Sequence, residues 1–129
     1  MILQPNGWSC VPAAFAMATD IPVEAIIRAV GHDGSDIMSD GRQKGFTEHE
    51  MVDVLLDWDK YAICIWPDSV DRIGRYLSMY DGVLLGVVDG KDHAVFWNHS
   101  EGLVFDPGGQ KYDIEKFSIE RLYIIKSFS

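Results

Sequence analysis

The chain has 129 residues, enough for one domain whose hydrophobic core needs no disulfide or metal staple. Its apolar content of 47% and aromatic content of 12% exclude a disordered chain. A net charge of −9, with only 11 scattered Lys and Arg, argues against nucleic-acid partners, which need clustered cations.

The N-terminus Met1-Ile2-Leu3-Gln4-Pro5 lacks the basic and apolar regions of a signal peptide. No run approaches the ~18 apolar residues of a membrane span, so no membrane insertion is expected. Two cysteines make no disulfide framework. The expectation is a single domain over residues 1–129 in the reduced cytosol. Nothing in the sequence sets an oligomeric state.

Ser9 is placed to cap a first helix over residues 10–18, with Pro12 in the first turn, where its missing N–H is harmless. Asp20-Ile21-Pro22 starts a second helix over 22–30, closed by Gly31. Residues 31–46 carry four glycines and no periodicity, and read as a long irregular loop. Thr47 and Glu50 form a capping box for a third helix. Its apolar face is Met51, Val52, Leu55, Leu56 and Trp58. Residues 61–66 read as a strand ended by Pro67-Asp68, and 70–79 as a fourth helix capped by Asp68 or Ser69. After Asp81-Gly82 come strands at 83–88, 94–97, 103–105 and 122–125, with turns at Asp89-Gly90-Lys91-Asp92 and around 98–102. Helices followed by an antiparallel meander predict an α+β fold, N-terminal helices packed on a C-terminal β-sheet.

Cys10 opens the first helix, where free backbone N–H groups and the positive end of the helix dipole favour a thiolate. Gln4, six residues upstream, can donate an N–H to an oxyanion beside that sulfur. His93 enters a strand after a turn, and Asp106 leaves the next strand, so a hairpin can bring the two together. A carboxylate there would hold the imidazole and stabilise its charged form. If the helix N-terminus meets the same sheet edge, Cys10 and His93 form a thiolate–imidazolium pair.

Gln-x5-Cys at the head of a helix, a late histidine starting a strand, and Asp-Pro after the following strand resemble papain-like cysteine peptidases. The likeness is closest to the bacteriocin-processing branch, which removes double-glycine leader peptides. It runs through QPNGWSCVPAAFAMA, GFTEHEMVDVLL and VLLGVVDGKDHAVFWNHSEGLVFDPGG. The family often has Asp before and Gly after the cysteine, where this chain has Ser9 and Val11. The resemblance implies that Cys10 is the nucleophile, Gln4 an oxyanion donor, His93 the general base and acid, and Asp106 its orienting partner. It implies cleavage of a peptide or isopeptide bond in a peptide or protein substrate, with no metal or organic cofactor. The same site would also serve an acyltransferase or amidase, and the fold a catalytically silent peptide-binding module.

Plainer readings stand beside these. A cysteine on an apolar helix is by itself usually a core residue. Gln4 can be an exposed terminal residue, and Asp106-Pro107-Gly108-Gly109 is also a turn sequence. Asn98 and His99 read as hairpin-tip residues, Asn98 doubling as an alternative orienter. His32-Asp33-Gly34-Ser35-Asp36 lacks the ligand pattern of a calcium or zinc site. Cys64, Trp58, Trp66 and Trp97 are expected in the core. Gly7 and Trp8, beside the nucleophile, are expected to meet substrate, Trp8 as a wall of the cleft.

Overall fold

A computed structural model describes residues 1–67 and 70–128 of the chain. Its helices are α1 (Cys10–Thr19), α2 (Val23–Val30), α3 (Glu48–Leu55) and α4 (Val70–Met79). The strands are β1 (Lys60–Ile65), β2 (Gly82–Val88), β3 (Lys91–Asn98), β4 (Leu103–Phe105), β5 (Lys111–Tyr112) and β6 (Ser118–Ser127). They form one antiparallel sheet in the order β1-β6-β2-β3-β4-β5. The α+β fold expected from the sequence is present. The plain meander is not, because β6 returns to lie between β1 and β2.

The helix α1 buries Pro12, Ala13, Ala14, Phe15 and Ala16, so it is covered on several sides rather than amphipathic. It packs with α2 and α3 on one sheet face, where Phe15, Ile26, Met51 and Leu55 meet Val83, Leu85, Ala94 and Tyr123. The opposite face is covered by α4: Ile73 and Leu77 pack with Leu84, Val95, Trp97 and Leu122. The Trp97 indole N–H donates to the Leu77 carbonyl at 2.7 Å, tying α4 to β3.

Several local expectations change. Ser9 occupies the N-cap position of α1, but its hydroxyl bonds Asn6 Oδ1 at 2.5 Å instead of capping the helix. The capping box of α3 forms as expected, with Thr47 and Glu50 each bonding the other's backbone N–H. Val54 is buried there and Leu56 is exposed, because residues 56–58 tighten into a 3-10 turn. Cys64 and Trp66 are exposed, not core. Cys64 lies on β1, an edge strand paired only with β6, and Trp66 lies just beyond its end. Trp97 is buried and Trp58 partly so. The cap expected at Asp68 or Ser69 lies outside the described residues.

Candidate active site

A two-residue turn at Asp89-Gly90 joins β2 to β3. Both residues have positive φ (52° and 76°), which matches the turn to the strand twist. This fixes His93 as the third residue of β3, opposite Gly86. Asp106 follows the last residue of β4, and its backbone closes a turn through the Gly109 N–H (2.8 Å) and the Gln110 carbonyl (2.8 Å). Asp106 is therefore both a turn residue and a partner of His93.

His93 Nε2 lies 2.9 Å from Asp106 Oδ1, and the ring shares one cleft with the Cys10 side chain, whose proximity favours its charged form. Since Nε2 faces Asp106, Nδ1 is the nitrogen left for the sulfur. Side-chain exposures of 20% for His93 and 12% for Asp106 leave their attraction little screened by water. Burial of the ring opposes its charge. The Cys10 side chain and then the Asp106 carboxylate outweigh that, raising the His93 pKa from 6.5 to about 9.

The imidazolium thus stabilises the fold fully below the ordinary histidine pKa, and this contribution is lost as pH rises through about 9. Because Cys10 is the leading cause of the rise, Cys10→Ala is expected to lower the His93 titration midpoint, as read by NMR of the ring. An unchanged midpoint would mean that the two side chains are not paired.

Asp106 is held below the ordinary carboxylate range. Burial pushes the other way, but the His93 ring, the Gly108 N–H at 2.8 Å and the Tyr112 hydroxyl at 2.9 Å prevail. Tyr112 was not singled out in the sequence. Its signal was the Pro107-Gly108-Gly109 turn, which folds the chain back so that β5 passes Asp106.

The first turn of α1 receives no side-chain hydrogen bond from its cap, leaving its leading N–H groups for a charge near the sulfur. The chain ahead of Cys10 is braced by Asn6, whose Oδ1 accepts from the Trp8 N–H at 3.2 Å and from buried Ser9. The Gln4 backbone N–H bonds the Pro107 carbonyl at 3.0 Å, which brings Gln4 to the same end of the molecule as Asp106. Its side-chain amide donates to the Asn6 carbonyl at 2.6 Å. A primary amide has a second N–H, and that one is not used by this bond.

Cys10 and His93 open into a cleft of about 530 Å³, lined also by Gly7 and Trp8; Gln4 is not among the lining residues. The far wall comes from residues 42–46, the return arm of the glycine-rich loop. That loop is ordered by its own bonds, Met38 N–H to Arg42 (2.7 Å), Lys44 N–H to Asp36 (2.6 Å) and Gly45 N–H to Gly34 (2.9 Å). It is fastened to the body by Trp8 Nε1, which donates to the Asp33 carbonyl at 2.9 Å, and by His32 against Glu50 at 2.5 Å. His32 is thereby a structural clasp. Arg121, paired with Glu48 at 2.5 Å, also borders the cleft and was not anticipated. Asn98 bonds Glu101 and His99 bonds Asp81, away from the triad.

No family profile and no curated protein sequence matches the chain. Among solved structures it is similar to the peptidase domain of Streptococcus ComA, a bi-functional ABC transporter involved in a quorum-sensing pathway. The TM-score is 0.65 at 11% sequence identity, over 98% of this chain and 96% of that one. The likeness is one of fold: a peptidase-domain architecture at low sequence identity. Among the described residues, no helix is long and apolar enough to cross a membrane.

Proposed function

We propose that this chain is a papain-like cysteine hydrolase that cleaves a peptide or isopeptide bond, with Cys10, His93 and Asp106 as its triad. The carrying observation is the His93 ring, bonded to Asp106 at 2.9 Å and lining one cleft with Cys10. The fold likeness to the ComA peptidase domain supports a peptidase architecture, and the place nearest the bacteriocin-processing branch rests on the sequence resemblance. The domain is taken to be the whole of residues 1–129. A reducing compartment such as the cytosol suits it, since Cys10 and Cys64 are both free thiols.

In this mechanism His93 takes the Cys10 proton and the thiolate attacks the substrate carbonyl carbon. The oxyanion is met by the Cys10 backbone N–H and, as the family resemblance implies, by the Gln4 amide, which must turn from its bond with the Asn6 carbonyl to reach the cleft. The His93 imidazolium protonates the leaving amine as the C–N bond breaks, giving a thioester on Cys10. Water, deprotonated by His93, then releases the acid. Asp106 holds the ring and its charge throughout. Since the imidazolium is lost near pH 9, hydrolysis falls on the alkaline side through that value.

Incubation with a proteome-derived peptide library tests the reaction class. New peptide termini around a recurring sequence, absent with Cys10→Ala, are the expected result. Termini carrying an added amine or thiol instead of water would make the same site a transferase. No Cys10-dependent change in any peptide would overturn the proposal.

A further inference from the structure

We infer that Tyr112 is a positioning residue of this site, resting on the triad reading above: its hydroxyl locks the Asp106 carboxylate so that Oδ1 faces His93. The phenol donates to Oδ2 at 2.9 Å, while Oδ1 takes His93 Nε2 at 2.9 Å and the Gly108 N–H at 2.8 Å. All three donors are fixed by backbone geometry. Gly108 belongs to the Asp106 turn, His93 to β3, and Tyr112 to β5, where it pairs with Val104 of β4. Without the hydroxyl, Oδ2 has no partner among the described residues, and the carboxylate is held through Oδ1 alone.

Tyr112 lies behind Asp106 and does not line the cleft, so it acts on the triad only through that carboxylate. It remains a donor because burial, Asp106 and the more distant Asp89 all push its ionisation above the ordinary phenol range. The charged or titratable groups acting on Asp106 and Tyr112 are thus His93 on β3, Asp89 in the β2–β3 turn, and each other.

The test uses Tyr112→Phe, which removes one oxygen and keeps the ring, with iodoacetamide alkylation of Cys10 as the kinetic probe. Alkylation at neutral pH is expected to slow on the order of tenfold, the loss of one hydrogen bond to a charged group. The Asp106 carboxyl, followed by carbon NMR, is expected to titrate at higher pH. The kinetic effect is expected to vanish in an Asp106→Ala background, because Tyr112 has no other route to the site. An unmoved Asp106 titration in folded Tyr112→Phe, or additive effects of the two substitutions, would overturn the inference. So would ordinary phenol ionisation of Tyr112 in the wild-type protein, a readout that needs no variant to fold. The Asp106 titration can be repeated in Cys10→Ala, where no hydrolysis is needed, so failure of the hydrolase reading and failure of this inference are separable.

Discussion

Cys10→Ala is expected to abolish hydrolysis, by about 10⁴–10⁶-fold on the scale set by triad members of serine proteases, while the protein stays folded. The loss is large because, among the described residues, no other thiol lines the cleft. Cys64, the second thiol, sits on the edge strand β1 and does not line the cleft. The fold survives because Cys10 is only partly buried, heads a helix in which Ala is well tolerated, and changes by a single atom. Hydrolysis assays paired with urea unfolding separate the two effects. A His93→Ala variant is expected to lose a similar factor, because the thiolate loses its counterion and the amine its proton donor. Asp106→Asn is expected to cost about 10⁴-fold, since an amide can hold the ring in the wrong tautomer and no longer stabilises its charge.

Gly86→Ala is expected to destabilise the protein by about 3 kcal/mol, the upper part of the range for overpacking. A β-carbon at Gly86 would overlap the Ser118 carbonyl oxygen and come within 2.8 Å of the Phe117 ring. The backbone oxygen belongs to the neighbouring strand β6 and cannot swing aside. The pairing of β2 with β6 shifts register between Leu85 and Gly86, and the glycine is what permits that close approach. Gly86 also lies opposite His93, so the substitution is expected to disturb the histidine and slow Cys10 alkylation. Gly74 supplies the contrast. It is exposed on α4 with nothing within 4 Å of its would-be β-carbon. Gly74→Ala is therefore expected to stabilise by about 0.5–1 kcal/mol. Urea unfolding of the two variants should move in opposite directions.

What could be read from the sequence was what depends on neighbours along the chain. The Thr47–Glu50 capping box and the Gly31 stop are local chemistry and appear where expected. The turn expected over Asp89-Gly90-Lys91-Asp92 tightens to Asp89-Gly90, with Lys91 and Asp92 already in β3. His93 and Asp106 were legible as neighbours because one hairpin separates them. Their meeting with Cys10 needed α1 to pack against β3, a non-local contact for which the sequence offered only the family resemblance.

Pairing between distant segments was the part that stayed hidden. With β6 returning beside it and nothing on its other side among the described strands, β1 is an edge, and Cys64 is exposed on a stretch whose composition reads as core. The two-residue strand β5 is too short to show any periodicity, so Tyr112 went unmarked. Ser9 misled because a hydroxyl at an N-cap position usually serves its own helix. Here Asn6 claims it, and the helix N-terminus is left open beside Cys10.

Mass spectrometry of the protein quenched with acid during turnover of a cleaved peptide tests the central claim most directly. The account predicts a thioester on the Cys10-containing fragment, heavier by the N-terminal part of the substrate and absent in Cys10→Ala. Continued hydrolysis by Cys10→Ala, or an acyl group carried on any other residue, would contradict it.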